Sequence, residues 1–161
     1  MTILYPSRPE LQAYEAPLGR MMLAYGRAMA AVVALVEAYE GDEAKAVLFI
    51  DEVGTDQLPK RVRGLFRGRL ETKLFDVLSE ALTNFKMIAV KRHYLIHGHW
   101  YFDHFKKGQL TIRSARQQKN KKIKIDRLGD VSIRDLDQWA DQLDEIADIL
   151  DDIEFAFRSA R

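Results

Sequence analysis

The chain contains no cysteine, which excludes a disulfide framework and any thiolate metal site. Proline and glycine are scarce as well, at four and nine of 161 residues, too few for a collagen-like or low-complexity chain. No uninterrupted apolar run reaches the roughly 18 residues that a bilayer span needs; the best stretch, Met21 to Val36, contains Arg27. Met1 to Glu15 has no basic start followed by an apolar stretch, so no signal peptide is expected. Neither sign of charge dominates, since 25 Lys and Arg against 24 Asp and Glu leave a net +1. These absences lead to the expectation of a cytoplasmic protein with no membrane association.

What is present is ordinary globular material: 47% hydrophobic, 30% charged and 10% aromatic residues, enough for one domain over residues 1–161 with a real core. The near-zero net charge hides strong segregation. From His104 to Arg127 stand nine basic residues (Lys106, Lys107, Arg113, Arg116, Lys119, Lys121, Lys122, Lys124, Arg127) against Asp126 alone. Ten acidic residues follow between Asp130 and Glu154 against Arg134 alone. A local basic surface attracts polyanions whatever the total; equally, the two stretches can neutralise each other within the fold.

Hydrophobic spacing predicts an all-α bundle of four to five helices with one small basic hairpin before the last helix. Leu18, Met22, Tyr25, Met29, Val32, Val36 and Tyr39 step by four and three, which predicts a helix from about Ala16 to Glu40. The small residues Gly19, Gly26, Ala30 and Ala34 would let a neighbour approach that helix closely. Shorter helices are expected over Asp42 to Val53, broken at Gly54, and over Asp56 to Arg69. The longest should run from Glu71 to about Phe105, burying Leu74, Val77, Leu78, Ala81, Leu82, Phe85, Ile88 and Ala89. The period then changes to two. Leu110 and Ile112 alternate with Thr111 and Arg113, and Ile123 and Ile125 with Lys122 and Lys124. A hairpin over about 109–126 is expected, with isoleucines on one face and basic residues on the other. Ser132 opens the last helix, with Asp135 three residues on as its capping partner. The stripe Leu136, Trp139, Leu143, Ile146, Leu150, Ile153 and Phe157 should be buried, and Asp137, Asp141, Asp144, Asp148 and Asp151 should form a solvated face.

Familiar cofactor and catalytic signatures are missing: no G-x-x-x-x-G-K-[ST], G-x-G-x-x-G, G-x-S-x-G or H-E-x-x-H occurs, and no cofactor is expected. The histidines stand out instead. All four (His93, His97, His99, His104) fall between His93 and His104, interleaved with Tyr94, Trp100, Tyr101 and Phe102. Imidazole is the side chain best suited to move protons near neutral pH, so this window is the candidate site.

The stretch Arg92-His93-Tyr94-Leu95-Ile96-His97-Gly98 resembles the signature of HEPN domains. Those are all-α bundles whose active members cut RNA with an arginine, a following polar residue and a histidine a few positions on. The resemblance implies catalytic roles for Arg92, His93 and His97, with His93 standing where asparagine or aspartate is common. It also implies a homodimer in which two copies form one composite cleft, and it leaves room for a protein partner such as an antitoxin. RNA cleavage without a metal needs a base for the ribose 2′-hydroxyl, which His97 can supply, and a cation on the scissile phosphate, which Arg92 can supply. His93 can orient His97 or carry the second proton. Lys106, Lys107, Arg113, Arg116, Lys122 and Lys124 would track an RNA backbone. Trp100 or Tyr101 would stack a base or, alternatively, be buried in the bundle or a dimer interface.

Two other readings use the same residues. His93 and His97 at i and i+4 can share a metal with His104 or Asp103. A non-catalytic helical module that binds a protein or nucleic acid needs only the amphipathic helices and the segregated charge.

Overall fold

Among the described residues, four helices and a small antiparallel sheet make up the fold: α1 (Arg8–Glu40), α2 (Glu43–Phe66), α3 (Thr72–His97), β1 (His99–Phe102), β2 (Leu110–Gln117), β3 (Ile123–Val131) and α4 (Ile133–Ser159). The structure is a computed structural model and describes residues 8–102, 110–117 and 123–161. It is the expected all-α bundle with a hairpin before the last helix. The chain divides into two units. One holds α1 up to Met22, α3 from Val90, the sheet, and α4 up to Ala140; the other holds α1 from Leu23, α2, α3 up to Ala89, and the rest of α4.

α4 follows its sequence closely. Ser132 and Asp135 form a reciprocal capping box: the Ser132 N–H donates to Asp135 Oδ2 at 2.7 Å, and the Asp135 N–H donates to Ser132 Oγ at 3.1 Å. All seven residues of its apolar stripe are buried. The acidic face is only partly solvated, because Arg20 pairs with Asp137, and Arg27 with Asp144 and Asp148. These pairs are exposed and add little stability, but they fix direction. In the first unit Tyr14 reaches Val131 and Arg20 reaches Asp137; in the second, Arg27 reaches Asp144 and Arg158 reaches Glu37. In each, α1 and α4 run parallel.

α1 departs from expectation in two ways. It starts at Arg8 and continues through Pro17, because the extra turns bury Tyr14 and anchor its hydroxyl on the Val131 carbonyl at 3.2 Å. Its buried seam is Tyr14, Met21, Ala24, Ala28, Ala31, Leu35 and Ala38, with Val32 and Val36 beside it. Leu18, Met22, Tyr25, Met29 and Tyr39 are half-exposed shoulders. Alanines let helices pack closest, so they take the centre and the longer side chains flank it. Gly19, Gly26 and Ala30 are exposed, and a Cβ on either glycine would meet nothing within 4 Å. The small residues that are buried on α1 are Ala24, Ala28, Ala31 and Ala38 instead. By length and composition α1 is also apolar enough to cross a membrane, with 44% of its most apolar window buried inside the fold.

The two expected middle helices are present within the α2 range and meet at a break at Gly54. Gly54 stands there at φ 67°, ψ 155°, a conformation that favours glycine. Leu58, Val62 and Phe66 beyond the kink are buried, and Phe66 packs edge-on against both Tyr39 and Phe157. The expected core face of α3 is buried except at its start, where Leu74 is half-exposed and Val77 is 42% exposed.

α3 ends at His97 rather than near Phe105. Residues 99–102 leave the helix to pair with β2, making a three-stranded sheet in the order β1-β2-β3. The expected hairpin is present, and β3 extends to Val131. Its faces differ from expectation. The register sets Ile112 opposite Leu128, Arg116 opposite Lys124 and Ala115 opposite Ile125. Strand alternation therefore places Ile112 on one face and Ile123 and Ile125 on the other. Each strand alternates as read; the pairing between strands scrambles the sides.

Burial pushes the Tyr14 hydroxyl above its ordinary value of 10.0, and the Asp135 carboxylate adds to the rise. The folded state thus holds this proton more tightly than the unfolded chain. The resulting stabilisation is complete below pH 10 and is lost as pH climbs through the raised value. Tyr14→Phe should cost about 1 kcal/mol near neutrality by stranding the Val131 carbonyl. It should also remove the part of the alkaline destabilisation that begins near pH 10, which urea melts between pH 8 and 11 would read.

Candidate active site

The last two turns of α3 carry Arg92, His93 and His97. A helix turns about 100° per residue, so the four-residue spacing stacks the two imidazoles on one side. Their ring centres lie 4.8 Å apart at 50°, and both residues are exposed. Tyr94 stands edge-on to His93 at 6.1 Å. Val90, one turn earlier on the same side, is 43% exposed. The histidine end of α3 therefore opens onto solvent.

Arg92 occupies a different side. It follows Ile88 by four residues and precedes Leu95 by three, and both of those are buried. It thus falls on the core stripe of α3, half-buried, with its Nε shut off from solvent. Five residues on, His97 lies about 140° around the helix. The structure brings His93 and His97 together but does not bring Arg92 beside them within one chain. This placement was available from spacing alone, since Ile88, Arg92 and Leu95 continue the four-and-three pattern of the core.

Trp100 is half-buried, and its ring N–H donates to the Leu95 carbonyl at 3.0 Å. That satisfies one of the carbonyls left open where a helix stops, so the indole braces the end of α3. Lys91 places its ammonium 4.5 Å over the Trp139 ring, a cation–π contact.

The basic positions of the described strands fall on both faces of the sheet. Register sets Arg113 between His99 on β1 and Arg127 on β3, while Arg116 stands opposite Lys124. Arg113 and Arg116 differ in parity and so belong to opposite faces of the sheet. Tyr101 stands opposite Thr111, in the row next to Arg113. His99 belongs to the histidine window and Arg127 to the basic segment of the sequence, and strand pairing aligns both positions with Arg113. Lys106, Lys107 and Lys122 lie outside the described residues. So do Asp103 and His104, the proposed third metal ligands. Among the described residues, no group of three His, Asp or Glu side chains is placed to hold a metal ion.

These positions separate two kinds of effect. His93→Ala and His97→Ala should each change stability by less than about 0.5 kcal/mol, as exposed positions do. Arg92→Ala should cost about 1–2 kcal/mol because the packing of its stem is removed, a contrast that thermal melts of the three variants would show. No protein-family model matches this chain, and no curated protein or solved structure is significantly similar to it.

Proposed function

We propose that this protein is a HEPN-like, metal-independent RNA endonuclease acting as a homodimer. The observation that carries the reading is the pair of exposed, adjacent imidazoles, His93 and His97, on the same two turns of α3 as Arg92. One imidazole accepts the proton of a ribose 2′-hydroxyl as its oxygen attacks phosphorus. The other donates a proton to the departing 5′-oxygen as the P–O5′ bond breaks, leaving a 2′,3′-cyclic phosphate and a 5′-hydroxyl. Paired general acid and base catalysis of this kind contributes about 10²–10⁴-fold per group. Arg92 would offset charge on the phosphorane-like transition state, with a second copy easing the 140° offset. The exposed Val90 beside the histidines supports self-association on that side.

The position of Arg92 on the core stripe favours a second reading, a helical interaction module that binds RNA or a partner protein without cutting. An RNA-cleavage assay in excess chelator separates the two. Cleavage should survive chelation and fall at least about 100-fold in His97→Ala and His93→Ala, consistent with the loss of one proton-transfer group. RNA that stays intact with the wild-type protein across varied sequences leaves the module.

A further inference from the structure

We infer that His93 and His97 form a chelating pair for a divalent transition-metal ion of the zinc or copper class, and that the bound metal holds RNA cleavage off. The inhibition rests on the cleavage reading above; the metal site itself does not. The inference starts from distance. With a metal–nitrogen bond of about 2.1 Å, a metal stands about 3.2 Å from the centre of each imidazole it binds. Ligand angles between about 90° and 109° then separate the two ring centres by about 4.5–5.2 Å. The observed separation is 4.8 Å, so one ion fits both rings with little movement of either.

Three further features favour a metal there. Both residues are exposed, so a hydrated ion reaches them and water fills its remaining positions, as in sites that keep an open position. Among the described residues, neither imidazole has a hydrogen-bond partner that would compete for its lone pair. The cations next in sequence are engaged elsewhere: Lys91 lies over the Trp139 ring and Arg92 on the core stripe. Imidazole nitrogen suits zinc, copper and nickel, whereas magnesium and calcium prefer oxygen. Coordination engages the lone pair with which the basic imidazole would accept the 2′-hydroxyl proton, so the metal-bound form cannot begin the reaction. It also closes a ring across the last turn of α3, which ends at His97.

Zinc titrated into the full chain, without a histidine tag and against a chromophoric zinc indicator, should fill one site per chain, and millimolar magnesium should not displace it. His93→Ala and His97→Ala should each weaken binding at least about tenfold, because the second arm of a chelate acts at the high effective concentration set by the first. A Tyr94→His, His97→Ala double variant keeps four histidines but sets the pair on adjacent positions about 100° apart. It should bind no better than His97→Ala. Saturating zinc should raise the melting temperature of the wild type and not that of His93→Ala. Wild-type cleavage should fall at least about tenfold in saturating zinc, consistent with the loss of a proton-transfer group, and return when a chelator removes the metal. Zinc affinity unchanged in both alanine variants, or restored in the double variant, would overturn the site. Full cleavage at zinc saturation overturns the inhibition. Because binding is read without RNA, the two failures stay distinct: a wild type that binds zinc through this pair but never cuts rejects the endonuclease and keeps the site, whereas cleavage without zinc binding rejects the site alone.

Discussion

The hydrogen bond from the Trp100 ring to the Leu95 carbonyl is the interaction on which the functional end of the protein depends. A helix that stops must do something with its last carbonyls. Here Gly98 donates its N–H to the Tyr94 carbonyl at 2.8 Å, the chain turns, and the indole returns two residues later to cover Leu95. The same residue stands opposite Ile112 in the β1–β2 ladder. One side chain therefore ends α3 and seats the sheet. Extend the helix toward Phe105 and β1 disappears, together with the alignment of His99 and Arg113. Because the helix stops, His97 is its last residue and remains open to solvent.

The remainder of the fold supplies a scaffold whose stability comes from burial rather than from charge. α1 buries an alanine-centred seam and α4 a continuous Leu, Ile, Trp and Phe stripe. The arginine–aspartate pairs that accompany them are exposed and easily screened. They select a parallel alignment more than they hold it. At the far end of α4, Arg161 donates to the carbonyls of Ala38 and Tyr39, giving the end of α1 a cation that its own last turn lacks. The end of α1 thus terminates on a partner from a different part of the chain, a tertiary arrangement that local propensity does not encode.

What could be read in advance follows from that distinction. The buried stripe and the cap of α4 were legible because both lie within one segment and agree, whereas the pairing of its acidic face with Arg20 and Arg27 was not. The kink at Gly54 was legible because glycine favours the backbone conformation found there. The end of α3 was not, because the residues after Gly98 still suit a helix and only pairing with β2 draws them into a strand. The hairpin strands were read correctly one at a time, yet their faces came out mixed, since register depends on the pairing and a one-residue shift inverts every side. Arg92 carries two readings at once. A motif view joins it to His97, whereas the spacing from Ile88 to Leu95 assigns it to the core side, and the structure follows the spacing.

That conflict bears on the chemistry. An imidazole pair can move both protons of a phosphodiester cleavage, but it leaves the negative charge of the transition state unopposed. Arg92, half-buried and about 140° from His97, meets that need only through a neighbouring copy or by extending its stem around the helix.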